Sequence, residues 1–294
     1  MAVSPEKLDN LRVAPVVGNL EAKKRASGQP LFFRLVSAAV MIPLVLASVH
    51  FGGRLFAALV AFACIVMVFE WTRMVERKEC SASFYALSFS ATAAMFAAST
   101  GGYLFAFAFC FAGGLAAYLF ASGSVTQRLW PAIGAVYVLV PSIALMWLRL
   151  DTPQGRELTF MLFFIVWAAD TDAFILGKLI GGPKISYALS PSKTWAGIGG
   201  GVLGGALIAA LAAIYFFGED AGQRFILFGA ILGATSVAGD LAESAIKRNF
   251  GLKDISGFIP GHGGALDRMD GMIFSTMAMT SAYFLYMVAA SGQG

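Results

Sequence analysis

Nine apolar stretches, most of them close to the roughly 20 residues that span a bilayer as a helix, divide the chain and leave it few folds. They run approximately over 34–51, 54–71, 84–99, 102–121, 129–149, 157–178, 195–217, 224–245 and 270–290, the third being short. A large apolar core in a soluble protein is the plainer alternative. It fails on run length, and also on charge. Only 13% of the 294 residues are Asp, Glu, Lys or Arg, about half the usual share of a soluble domain. The expected fold is all-α, a polytopic transmembrane helical bundle.

The basic residues give an orientation. With the N-terminus inside, the outer segments hold only Arg54, Arg149, Arg156 and Arg224 of the 21 Lys and Arg. That bias predicts an N-in, C-out arrangement with an odd number of spans. Residues 1–30 are polar, with Pro5, Pro15, Pro30 and the cluster Lys23, Lys24 and Arg25, and read as a flexible cytoplasmic tail. The first apolar run begins too late for a secretory signal. Cys64, Cys80 and Cys110 are odd in number and widely spaced, so no disulfide framework or zinc spacing is expected. A net charge of +4 is modest and does not point to nucleic acid. Polar residues at membrane depth concentrate between Trp167 and Gly271. The expected organisation is therefore a transmembrane scaffold over 31–150 and a working transmembrane region over 151–294. No internal repeat is visible.

Asp240, Glu243, Ser244 and Lys247 follow at i, i+3, i+4 and i+7 and share one helical face. A carboxylate within a span costs at least about 2.5–3.5 kcal/mol on insertion scales, so it needs a partner or a purpose. A helix end emerging into water, with a Glu243–Lys247 pair, accounts for Lys247 but not for the deeper Asp240. A glycine loop, Pro260-Gly261-His262-Gly263-Gly264, then leads into Asp267 and Asp270. Glycines let successive N–H groups turn toward an anion, as in phosphate-binding nests. Three residues apart at a helix start, Asp267 and Asp270 could hold a hard cation such as Mg²⁺ through oxygen, or simply complement the helix N-terminus.

Upstream, Asp170 and Asp172 sit inside an apolar run and point to different sides of the helix. Asp170 is the better site candidate, and Asp172 is expected to pair with a base such as Lys178. The following segment offers Lys184, Ser190, Lys193 and Thr194, lysines and hydroxyls suited to triphosphate oxygens. Gly197, Gly201 and Gly205, at four-residue spacing, predict close helix packing. His50 reads as structural. His262, in the glycine loop, is a candidate for orienting phosphate or water.

The run Ser244-Ala-Ile-Lys247-Arg248, Lys253-Asp254, Pro260-Gly-His262-Gly-Gly264, Asp267-Arg268-Met-Asp270 resembles, with spacing intact, the signature of the phosphatidate cytidylyltransferase (CDP-diacylglycerol synthase) family. Ser190-Pro-Ser-Lys193-Thr-Trp195 and Asp170-Thr171 look like that family's upstream motifs. Two positions depart from it. Ala196 stands where an acidic or amide residue is common, and Asp172 where a small residue is common.

The resemblance implies a reaction of CTP with phosphatidate that gives CDP-diacylglycerol and pyrophosphate. It implies Mg²⁺ dependence with Asp240, Asp267 and Asp270 as ligands, a second cation such as K⁺, and a homodimer. It implies catalytic roles for Asp240, Asp267, Asp270, Lys247 and Lys193. Lys193, Ser190, Thr194, Arg248, Lys253, His262, Gly263, Gly264, Arg268 and Asp170 are the substrate-binding candidates. The site is expected at the cytoplasmic face of a bacterial inner membrane. Three rivals are a CTP-dependent lipid kinase, a cation-coupled transporter, which would also use intramembrane acids, and a structural scaffold, which would not need them.

Overall fold

A computed structural model describes residues 31–186, 190–253, 255–256 and 263–291. Among these the chain forms nine helices in the expected places: α1 (Leu31–Phe51), α2 (Gly53–Glu76), α3 (Ala82–Ser99), α4 (Tyr103–Phe120), α5 (Val125–Leu150), α6 (Gly155–Leu179), α7 (Trp195–Phe217), α8 (Ala221–Asn249) and α9 (Leu266–Ser291). Seven of them, α2 and α4 to α9, are long and apolar enough to cross a membrane. Helix α1 offers a shorter apolar stretch, Leu35–Phe51. Helix α3 carries Ser83, Ser88, Ser90, Thr92 and Ser99, which dilute its apolar character. Ser81 caps its N-terminus and Thr92 donates to the Ser88 carbonyl, while the buried Ser88 hydroxyl has no hydrogen-bond partner among the described residues. The tail over 1–30 lies outside the described residues.

The chain is a polytopic helical membrane protein, and its outer surface shows why. Phe96, Leu104, Phe105, Phe111, Leu203, Leu207 and Leu227 are exposed, an apolar coat that lipid would cover. The buried core is built of small and flexible residues around Trp71, Phe56, Met146 and Met161. Helix α5 changes pitch within the bundle, through a π-helical segment over Ala135–Leu139. Pro141 follows, with no N–H to give to the carbonyl one turn back, so the helical ladder slips register here.

The last helices pack backbone to backbone, because glycine leaves no side chain between them. A Cβ on Gly205 of α7 would stand 2.6 Å from the Gly229 carbonyl oxygen of α8, and one on Gly200 would stand 2.6 Å from the Asp172 carbonyl oxygen of α6. Helix α7 is thus wedged between α6 and α8 through two glycine faces. The Gly197-Gly201-Gly205 row splits between them: Gly197 meets α6, Gly205 meets α8 and Gly201 touches both. Gly205→Val is expected to destabilise the protein by about 1–3 kcal/mol through overpacking. SDS titration of the purified protein would read this. An unchanged unfolding midpoint would mean that the seam has slack.

Two differences from the expected architecture stand out. Between α6 and α7 the chain forms a short antiparallel hairpin of β1 (Lys184–Ser186) and β2 (Ser190–Thr194), with Lys184 opposite Thr194 and Ser186 opposite Ser190. These strands are too short and polar to show an alternating pattern in sequence. Asp172 also makes no ion pair with Lys178 among the described residues. Its carboxylate packs against Gly204 of α7, while the Lys178 ammonium lies 5.8 Å from the Phe174 ring. Two helical turns of separation place the acid and the base at different depths.

Candidate active site

Four elements bring their polar ends together: the C-terminal halves of α6 and α8, strand β2 and the first turns of α9. Gly239 of α8 meets the backbone of α9 at Asp270, and Gly271 of α9 meets Ser236 of α8. That close approach places Asp240 and Asp270, each next to one of these glycines, on adjoining helices.

Two ion pairs organise the site. The Lys193 ammonium, carried on β2, lies 2.6 Å from Asp240 Oδ2. The Lys247 ammonium lies 2.8 Å from Asp267 Oδ1 and 3.4 Å from Glu243 Oε1. The expected Glu243–Lys247 pair therefore exists, but the shorter contact reaches across to α9. Asp267, in the first turn of α9, also accepts the N–H of Gly264 just before the helix at 3.2 Å. Asp270, nearly buried, accepts the Gly271 N–H at 2.7 Å. Asp170 of α6 accepts the Ser236 hydroxyl at 3.1 Å. Asp240 and Asp170 are close enough to Asp270 to act on its charge, and Arg268 acts on Asp170.

Other candidates stand further from this cluster. The Thr194 hydroxyl is buried and accepts the Gly197 N–H at 3.1 Å as the N-cap of α7. Ser190 and Ser192 hydroxyls lie 3.4 Å apart on β2. Arg248 donates to the Leu252 carbonyl at 3.0 Å and so braces the turn after α8. Lys253 is exposed. Gly263 has φ of 84°, a left-handed backbone that glycine adopts without strain. His262 lies outside the described residues, as do Asp254, Pro260 and Gly261.

Three more residues join the site: Glu243, which the sequence places on the Asp240–Lys247 face without a role, and Tyr137 and Glu70, which sequence reasoning left out. Glu243 is fully buried beside Asp267 and Asp270, and neither of its oxygens receives an aligned N–H or O–H among the described residues. Tyr137, on the π-helical segment of α5, stacks on Trp71 at 5.0 Å between ring centroids. Its buried hydroxyl lies within electrostatic range of Glu243, Asp270 and Asp240 and has no hydrogen-bond partner among the described residues. Glu70 of α2, fully buried, accepts the N–H groups of Ala265 at 3.0 Å and Leu266 at 2.7 Å. The signal for Glu70 was present, since it is a carboxylate inside an apolar run. The reading of 31–150 as a transmembrane scaffold passed over it.

A magnesium ion suits this site in donor chemistry and in charge. The side chains offer carboxylate oxygen, the donor a hard cation takes. Asp170, Asp240, Glu243, Asp267 and Asp270 outnumber Lys193, Lys247 and Arg268, and the Glu243 oxygens lack aligned donors. Among the described residues no three of these acids converge into a ready-made cage, because the lysines stand between them.

The fold and the site together define a class: a multi-pass helical membrane protein with a compact acid–base cluster where α6, α8, α9 and the β2 strand meet. The family model described as the Cytidylyltransferase family matches residues 32–287, and the chain belongs to that family. It is 33% identical over 262 residues to a phosphatidate cytidylyltransferase of Brucella abortus, covering 87% of this chain and 92% of that one. It is 31% identical over 285 residues to a phosphatidate cytidylyltransferase of Haemophilus influenzae, covering 86% and 99%. One from Synechocystis is 42% identical over 126 residues, covering 42% of each chain.

Proposed function

We propose that the protein transfers the cytidylyl group of CTP to phosphatidate, giving CDP-diacylglycerol and pyrophosphate. The observation that carries this reading is the pairing of Lys193 with Asp240 and of Lys247 with Asp267 at one end of the bundle, in a member of the cytidylyltransferase family. A phosphatidate oxygen forms a bond to the α-phosphorus of CTP. The bond from that phosphorus to the bridging oxygen breaks, and pyrophosphate leaves with the electron pair. The nucleophile is already ionised, so the obstacle is repulsion between two anions rather than proton removal.

Lys193 and Lys247 are placed to lower that repulsion, with Arg248, Lys253 and Arg268 at its edge. Asp240, Asp267 and Asp270 would hold Mg²⁺, with Glu243 beside them and room for a second cation such as K⁺. Bound there, the ion supplies positive charge that stabilises the phosphate oxygens as charge builds on the leaving group. Ser190, Gly263, Gly264 and His262 belong to the phosphate-binding side, and Asp170 fixes Ser236 behind Asp270.

The bias of basic residues supports an N-in, C-out chain of nine crossings. Helices then alternate in direction, and the site opens at the cytoplasmic face, where CTP arrives from water. The relatives are bacterial, which supports the inner membrane as its location. Phosphatidate would enter sideways between helices with its acyl chains in the bilayer. Residues 31–150 would frame the working region over 151–294, and the assembly expected in the membrane is a homodimer.

Purified protein in detergent, given CTP labelled at the α-phosphate, phosphatidate and Mg²⁺, is expected to form a labelled CDP-lipid and one pyrophosphate per turnover. Release of CDP with a newly phosphorylated lipid would replace this reading with lipid kinase chemistry. Folded protein that turns over no nucleotide would remove the transferase reading altogether.

A further inference from the structure

The connection between α8 and α9 is held at both ends by a helix from the other half of the chain. Where α8 ends, the Arg77 guanidinium donates to the Phe250 carbonyl oxygen. Where α9 begins, the Glu70 carboxylate accepts the Ala265 and Leu266 N–H groups, and between these points it also accepts the Ser256 hydroxyl. Both residues belong to the end of α2. The charges match the helix ends they meet: a cation at a C-terminus with its unpaired carbonyls, an anion at an N-terminus with its unpaired amides.

Three further observations mark this as a built arrangement. Glu70 is fully buried and makes no ion pair among the described residues, so the start of α9 is what compensates its charge. Arg77 is the one non-glycine with positive φ among the described residues, at 57°, and this left-handed turn ends α2 where the side chain reaches Phe250. Gly264 is also required by the geometry, because a Cβ there would stand 2.9 Å from Glu70 Oε2 and 3.1 Å from Asp267 Oδ2.

We propose that Glu70 and Arg77 are positioning residues for the cytidylyl transfer: they clamp the α8–α9 connection so that Asp267 and Asp270 stand in register with Lys193, Asp240 and Lys247. The inference rests on the proposed function. The amides at the start of α9 are shared out, Gly264 to Asp267 and the next two to Glu70. Releasing the Glu70 share lets the helix start shift, and it carries Asp267 away from Lys247. Glu70 is fully buried against the start of α9, so its loss is expected to act on turnover more than on substrate affinity.

The test compares wild type with Glu70→Gln, Glu70→Asp and Arg77→Gln in detergent. Gln keeps the size of Glu but turns an N–H toward amides that need an acceptor. Glu70→Gln is expected to lower kcat between about tenfold and about a hundredfold, the scale of a small misplacement of catalytic groups. KM for CTP and for phosphatidate should stay within about threefold, and the Asp variant should recover part of the loss because it keeps the acceptors and the charge. Hydrogen exchange is the second readout. Amides over 264–267 should exchange at least about tenfold faster in Glu70→Gln, with α3 and α4 unchanged, as for a local opening. Arg77→Gln should raise exchange over 250–253 in the same selective way. A kcat within twofold of wild type overturns the proposal, and so does faster exchange spread evenly over all helices. A wild type that makes no CDP-lipid overturns the reaction itself, while exchange at 264–267 still decides whether α2 holds this end of α9.

Discussion

Asp267→Asn is expected to lower kcat by about a hundredfold to a thousandfold, the range found when one preorganised charge is removed from a polar active site. Asp267 makes two of the contacts that organise the site. Its Oδ1 meets Lys247 at 2.8 Å and its Oδ2 accepts the Gly264 N–H at 3.2 Å. The amide of Asn keeps the volume and can still accept from Gly264, so the start of α9 survives. What disappears is the charge that holds the lysine and, under the proposed function, the metal. Folding should persist because Lys247 retains Glu243 at 3.4 Å. Steady-state turnover together with a thermal melt of the same preparation checks both halves of the expectation. Activity within tenfold of wild type, at saturating Mg²⁺, would take Asp267 out of the chemistry.

Lys193→Met should have the next largest effect, a fall of about a hundredfold in kcat/KM for CTP. Lys193 reaches Asp240 from a hairpin rather than a helix, and its side chain is only 19% exposed. Met matches the length and apolar stem, so the strand can still pack. Asp240 loses its partner, but at 42% side-chain exposure it stays hydrated and need not unfold the site. The measurement is kcat/KM for CTP at several salt concentrations. The wild-type value should fall as salt rises, whereas the variant should respond less, having lost one attractive charge. Equal salt dependence in the two proteins would mean that Lys193 serves only to neutralise Asp240.

Much of this was legible in the chain, for definite physical reasons. Lipid imposes length and apolarity on each crossing, so the helices lie close to where the apolar stretches place them, seven of them long and apolar enough to cross. The face shared by Asp240, Glu243 and Lys247 follows from helical geometry alone, and the structure realises it. Pairings between elements were beyond reach, because separation along the chain carries no distance across a bundle. Lys193 meeting Asp240, and Lys247 preferring Asp267 over its own helical neighbour, are of this kind. The hairpin over Lys184–Thr194 was hidden because its residues serve backbone pairing and charge placement at once, which blurs any alternation. Glu70 was visible as an acid in an apolar run, but its purpose lies on a helix that begins nearly two hundred residues later.

The internal pairing of both site lysines has a consequence for traffic through the site. Neither ammonium waits idle for a phosphate, since Asp240 and Asp267 already occupy them. An arriving anion must compete with these resident carboxylates, and its net gain is the difference between two contacts of similar kind. Binding is thereby tempered. Under the proposed function, the carboxylates would close back onto the lysines as pyrophosphate departs, so the protein itself would act as the displacing ligand. An open cationic cradle would hold a tetravalent product tightly and stall, whereas this arrangement favours release and resetting over capture.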